Sequence, residues 1–518
     1  MKGRGGLALV LTVLLLAGCN AGPDGGPDEP AEPVALMEAE PEKKSEPSTK
    51  VFSLACAAGE GFNPYKCTNQ SNRTVLSLLY EPLFTVDASF HAAPYLCEKY
   101  EPTGDGRTHT LTLRGNVTFS DGTRLTAEDV NASIKAAMGS PYYGERLKHI
   151  SSITVNSDRE LVIATDAAVG SLDALLNVYI VKSDTVNDSV PVGSGPYEPD
   201  GAGGLRKRNS RWRYNAPVIQ AETVRLLAAD TPDAVRDTFE YGVSDLACAD
   251  PNAGTKMMYH SDYELWDNPT TVMQYIGFNR SSSVFRYEAL RCAVSHGIDR
   301  EAIVSDTAGG FGLAASLPAS PSAEFYSKQL AENYDFDEAA FREDLDKRSV
   351  SANGDGVLEF QSDYGVQPLN GVMIVCMNSD QRVEAAQAVV NSLNALGFDL
   401  TLKALEYDSY VDALKKGSFD LYYGEVRLSP DFDLSAFFSE NGSLSFGGCA
   451  DARAAQLCIQ AMENVGNAYN LHQEIMDRGL LCPVLFKVYA IYSARGRVTN
   501  LTPCLDGVFL QPIAEETR

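Results

Sequence analysis

Residues 371–426 read GVMIVCMNSDQRVEAAQAVVNSLNALGFDLTLKALEYDSYVDALKKGSFDLYYGEV, and their pattern sets the fold class. Gly371 to Asn378 is an apolar run of strand length. Val383, Ala386, Val390 and Leu393 then recur at helical spacing, and Gly397 stops that helix. Phe398 to Leu405 returns to a strand, with Leu400, Leu402 and Ala404 on one side. A second helix, Tyr407 to Lys416, ends at Gly417, and Phe419 to Val426 is a third strand. The β-α-β-α-β order predicts an α/β fold, a parallel sheet with helices on its faces. Ligands on such sheets tend to sit beyond the carboxyl ends of the strands, here Asn378 to Asp380 and Glu425 to Asp433.

Mixed α and β structure continues upstream. Thr108 to Leu113 alternates polar and apolar as a half-buried strand does. Past the turn Ser120-Asp121-Gly122-Thr123, Thr126 with Asp129 marks a capped helix start, and Val130, Ile134 and Ala137 share one helical face. At the N-terminus, Lys2 and Arg4 precede an apolar run, Leu7 to Ala17, of signal-peptide length and too short to span a bilayer. Leu16-Ala17-Gly18-Cys19 resembles the bacterial lipobox, so residues 1–18 are expected to be a signal peptide and Cys19 a diacylated anchor. Residues 19–50, rich in Pro, Glu, Gly and Asp, read as a flexible tether that holds the body off the membrane.

The body from Val51 onward is long enough, in a chain that is 44% hydrophobic, for two or three domains with real cores. A formal charge of −26, made −28 by loss of Lys2 and Arg4, argues against nucleic acid and against docking on anionic lipid. Of eleven cysteines, Cys19 is assigned to the anchor. The other ten, outside the membrane, suggest disulfides, with Cys56–Cys67 and Cys449–Cys458 the local pairings of choice and buried reduced thiols the alternative. No Cys-x-x-Cys occurs and the six histidines are scattered, so no metal or other cofactor is expected. Nor is catalysis: Gly193-Ser194-Gly195 lacks the nucleophile-elbow pattern. Asn353-Gly354-Asp355-Gly356 reads as an acidic turn, since neither the first nor the twelfth calcium-loop acid is present.

Five segments resemble the family 5 extracellular solute-binding proteins, which serve peptide and nickel importers. They are Ser77 to Phe84, Leu113 to Val130, Pro191 to Tyr197, Ile276 to Asn279 and Arg291 to Val304, in the family's order along nearly the whole body. The resemblance implies a three-lobed binding-protein fold in which two lobes close on a ligand by a hinge. Lobe I would comprise residues 51–95, 186–270 and 495–518, inserted lobe II 96–185, and lobe III 271–494. It implies a substrate-binding lipoprotein on the extracytoplasmic face of the bacterial membrane that delivers a peptide or peptide-like solute to ABC permease subunits. A peptide-sensing receptor, or a binder of a nickel complex, opine or oligosaccharide, is the alternative on the same scaffold. A nickel binder would be expected to place histidine at the strand ends, and none is there.

Most signature residues read as scaffold. Site candidates come from where the lobes meet: Asn378 and Glu425 at the strand ends, Arg427, Lys487, and Asn72 with Arg73 near the first-lobe edge. Peptide-binding relatives carry an aspartate for the ligand's amino group where this chain aligns Leu428, preceded by Arg427. Lys487 stands where they place a tyrosine facing the cleft. Both cations could meet a ligand carboxylate, Arg427 with a two-pronged fork, or each could pair with a carboxylate of the protein.

Overall fold

The stretch that sets the fold class folds as its periodicity requires. In the computed structural model, strand Asn370–Cys376 runs parallel to Asp399–Leu405 on one side and to Leu421–Arg427 on the other. The helices Asp380–Ala395 and Tyr407–Lys416 form the crossovers. Ser379 caps the first, its side chain accepting from the Arg382 amide, and Ala386, Val390 and Leu393 are buried. Gly417 ends the second in the left-handed region, φ 65°, where a side chain would be strained. The structure describes residues 50–57, 59–209, 218–253, 262–362, 365–498 and 500–511. The leader, Cys19 and the tether up to residue 49 lie outside them.

This parallel unit is one end of an 11-stranded sheet. Two long antiparallel strands, Tyr263–Phe278 and Cys482–Ala494, occupy its middle. The first half of Tyr263–Phe278 pairs with Cys482–Ala494, while its second half also pairs with Leu421–Arg427. Their register slips between Pro269 and Met273, as expected where proline removes a ladder donor. On the far side, Leu246–Ala249, Val51–Cys56 and Thr223–Ala228 continue the sheet. Residues 97–165 supply a separate four-stranded antiparallel sheet. Within it Thr108–Leu113 buries His109, Leu111 and Leu113 in alternation. Helix Ala127–Met138 follows, with Asp129 Oδ2 accepting from Thr126 N and Oγ1, both at 2.9 Å.

The signature turns prove to be scaffold. Asp121 Oδ1 accepts from the Thr123 amide at 2.9 Å, and Gly122 takes φ 86°. The Ser120 amide donates to Gly193 O, and Arg208 binds this turn to the glycine segment by donating to the Phe119 and Ser194 carbonyls, both at 2.8 Å. A Cβ on Gly195 would lie 2.4 Å from the Leu78 carbonyl oxygen, so only glycine fits. Buried Arg300, from the 291–304 segment, donates to the carbonyls of Pro483, Ser295 and Tyr334. Asn353 closes its acidic turn by accepting from the amides of Asp355 and Val357.

Neither expected disulfide is present. Cys56, Cys67, Cys449 and Cys458 are free, as are the other six described cysteines. All but Cys292 are buried and behave as small hydrophobes. Cys67 Sγ donates to Asn69 O at 3.8 Å and Cys449 Sγ to Leu480 O at 3.7 Å. Burial pushes the Cys67 thiol up to about 11 and the Cys449 thiol to about 12, which leaves little thiolate for exchange.

Candidate functional site

Arg427 is the last residue of the strand Leu421–Arg427, and the chain beyond it builds one wall of a cavity of about 250 Å³. That wall turns at Phe432, which has φ 57°. A non-glycine residue there costs about 1–3 kcal/mol and persists only where its surroundings enforce it. The enforcement is aromatic: the Phe432 ring sits 4.9 Å from Phe90, 5.6 Å from Phe486 and 5.7 Å from Phe325, centroid to centroid. The turn presents Asp431 and Asp433 on either side of it. Asp433 accepts from Lys148 at 3.0 Å and from Ser435. Asp431 accepts from the Ser429 hydroxyl and has no cation in ion-pair contact among the described residues. Burial, with the Asp433 charge beside it, pushes its carboxyl up to about 6.

The opposite wall comes from residues 142–149 and from the turn at 504–507. Asn177 donates to Leu505 O at 2.9 Å and Tyr179 to Asp506 O, so the turn is fixed to the body. Asp506, φ 65°, accepts from the Tyr142 hydroxyl and lies 3.5 Å from Arg146 Nη1. Arg73 stacks on the Tyr142 ring, 3.3 Å from its centroid, and donates to Tyr143 Oη at 2.9 Å. Burial disfavours the Asp506 carboxylate, yet Arg73, Arg146, the Tyr142 hydroxyl and Arg427 hold its pKa below the usual range. A further cavity of about 20 Å³ joins Arg73, Tyr142, Arg427, Tyr489 and Asp506.

Arg427 itself makes no salt bridge among the described residues. Its Nη2 donates to Tyr489 Oη at 3.3 Å, and its guanidinium lies 5.4 Å from the Tyr142 centroid. Water reaches the side chain, while protein rises around it and the guanidinium lines both cavities.

The other expected site residues go elsewhere. Lys487, buried within its strand, pairs with Asp250 and, at 3.4 Å, with Glu425, and it does not line the cavity. Glu425 accepts from Arg382 at 2.8 Å and Gln274 at 2.9 Å. Burial opposes its charge, but Lys487 and Arg382 win and its carboxyl is held below its ordinary value. Lys487 and Glu425 are thus engaged with each other inside the protein. Asn378 is exposed and accepts from Arg382 at 3.0 Å. Asn72 is buried and pins residue 57, its Oδ1 accepting from Ala57 N at 2.7 Å and its Nδ2 donating to Ala57 O at 2.9 Å. Arg73 lies buried beneath Tyr142. Tyr142, Arg146 and Asp506 carried no sequence signal. Asp431 fell inside the strand-end segment, considered there only as a carboxylate that could pair with Arg427.

Strands ending at a walled cavity, with opposed charges on its sides and both walls drawn from segments distant in sequence, define a protein that encloses a small solute. The chain belongs to the family described as bacterial extracellular solute-binding proteins, family 5 Middle, whose pattern matches residues 91–445. The oligopeptide-binding protein AppA of Bacillus subtilis is 23% identical over 401 residues, 69% of this chain and 69% of AppA. The glutathione-binding protein GsiB of Shigella flexneri is 24% identical over 322 residues, 58% of this chain, and the match spans 62% of GsiB. The crystal structure of NikA from Brucella suis in complex with Fe(III)-EDTA superposes with a TM-score of 0.70 at 18% identity, covering 89% of this chain and 98% of NikA. The fold is therefore the α/β binding-protein fold, and the family is one of solute binders, not of enzymes. Among the described residues no helix is long and apolar enough to cross a membrane.

Proposed function

We propose that the protein captures a short zwitterionic peptide or peptide-like solute and hands it to the transmembrane subunits of an ABC importer. One observation carries the reading: among the described residues Arg427 makes no salt bridge and shares the charge of Asp506 with two other arginines, Asp431 has no cation in ion-pair contact, and Arg427 and Asp431 line the same cavity. A ligand carboxylate on Arg427 and a ligand ammonium on Asp431 would supply the missing partners. Each charge-assisted hydrogen bond contributes about 1.5–3 kcal/mol. The volume, about 250 Å³, lies below the roughly 300–1,000 Å³ of drug-sized sites and favours a compact solute over a long peptide. Peptide- and glutathione-binding relatives fit that chemistry.

In this reading residues 51–95, 186–270 and 495–518 form lobe I, 96–185 the inserted lobe II and 271–494 lobe III. The lobes close about the register slip between Pro269 and Met273. Cys19 carries the lipid that keeps the protein on the extracytoplasmic face of the membrane.

Calorimetry tests the site with matched short peptides: free acid against C-terminal amide, and free amine against N-acetyl. Either block should weaken binding about tenfold or more, with Arg427→Gln erasing the first difference and Asp431→Asn the second. Equal affinity for blocked and free forms refutes the reading. A metal complex is the second reading, because His149 also lines the cavity. Its Nδ1 is already 2.8 Å from Asp166. Tighter binding of nickel with free histidine than of any peptide would favour it.

A further inference from the structure

Three guanidiniums gather around one carboxylate at the Arg427 end of the cavity. Asp506 is hydrogen-bonded by Tyr142, lies 3.5 Å from Arg146, and feels the charges of Arg73 and Arg427. Three positive charges against one leave an excess of two. In a chain of formal charge −26 such an excess is not inherited from composition. The other cation on the cavity wall does not add to it, since Lys148 lies 3.0 Å from both Asp433 and Glu145.

The three arginines differ in what they have left to give. Arg73 is sealed beneath Tyr142 and donates to Tyr143 Oη and Cys67 O. Arg427 is the one reserved above for a ligand carboxylate. Arg146 lines the cavity with its side chain only 8% exposed and donates to Asn177 O. Its Nη1 reaches Asp506 only at 3.5 Å, and it shares that carboxylate with two other arginines. A buried charge left uncompensated is costly.

We infer that the solute carries a second acidic group, held by Arg146, so that the preferred ligand is a short peptide whose C-terminal residue is itself acidic. The inference rests on the carboxylate reading of Arg427. The terminal carboxylate meets Arg427, the acidic side chain meets Arg146, and together they cancel the excess of two. The amino group lies toward Asp431, where the cavity is negative. A peptide with a neutral C-terminal residue would leave Arg146 with only its share of Asp506.

A pool of dipeptides tests this, made in three equimolar sets: Xaa-Glu, Xaa-Gln and Xaa-Gln amide. The pool is incubated with the protein, unbound peptide is removed, and released ligands are quantified by high-resolution mass spectrometry. Each Xaa-Glu should be retained at least about tenfold over its Xaa-Gln partner, and Arg146→Gln should bring that ratio near one. Equal retention of Xaa-Glu and Xaa-Gln, both above the amides, overturns the second acid and leaves the carboxylate reading standing. Equal retention of all three sets, or of none, overturns both. Should Arg146→Gln fail to fold, the wild-type ratio alone decides the matter.

Discussion

Replacing Lys487 by methionine separates a scaffold cation from a ligand-facing one. The ammonium lies between Asp250 and Glu425, and the three side chains are 8%, 13% and 18% exposed. Methionine keeps the length and packing of the stem but leaves two buried carboxylates short of a partner. Breaking one side of a buried pair costs about 3–5 kcal/mol. Glu425 still has Arg382 at 2.8 Å, so most of the loss falls on Asp250, and a value near the lower end, about 3 kcal/mol, is expected at pH 7. The pH dependence has a definite sign. In the wild type, Lys487 and Arg382 outweigh burial and lower the Glu425 pKa, so its contribution is present above the unfolded-state value and lost as pH falls through the folded one. Without Lys487, burial favours the protonated form of Glu425, and the deficit should shrink as pH falls from 7 toward 4. Urea unfolding followed by tryptophan fluorescence reports this region, because Trp266 pairs with Ile491 on the Lys487 strand. Asp250→Asn added to Lys487→Met should recover part of the loss. A deficit under about 1 kcal/mol, accompanied by loss of the preference for free-acid over amide peptides, would refute the reasoning and return Lys487 to the ligand.

Gly195→Ala drives a Cβ to within 2.4 Å of Leu78 O, and should cost about 1–3 kcal/mol by urea unfolding while leaving acid-over-amide selectivity intact. Alkylation of the denatured, unreduced protein should label all ten body cysteines, from Cys56 to Cys504, and a protected pair would show that a disulfide forms. Cys19→Ala should abolish lipid attachment, read by intact mass and by membrane partition; a variant that still carries diacylglycerol would remove Cys19 as the anchor.

Local periodicity carried the fold. The 371–426 unit was legible because each strand and helix repeats its own spacing and Gly397 and Gly417 punctuate it. Arg427 was legible as a lone cation at a strand end. Lys487 was legible only as a problem, a charge in an apolar strand, because the Asp250 that solves it belongs to a segment far away in sequence. Asn72 showed the same limit, since polarity at the start of a helix does not reveal a side chain turned inward onto Ala57. The paired cysteines failed for a related reason: closeness in sequence fixes neither the direction of two Cβ bonds nor their distance. Tyr142, Arg146 and Asp506 acquire meaning only once the chain has returned on itself.

That return has a consequence in time. The hydrogen bond between Tyr142 and Asp506 joins residues 364 positions apart. At about 5–20 residues per second, roughly 20–70 s of synthesis separates the two. For nearly all of that interval Arg73 and Arg146 are already made while the carboxylate they surround is not. A nascent chain can thus complete the separate four-stranded antiparallel sheet and much of the parallel one and still lack the anionic centre around which its arginines are ordered. Competence to bind would arrive abruptly, with a turn of four residues, and it makes ligand retention a sensitive gauge of whether the last part of the body has been made and seated.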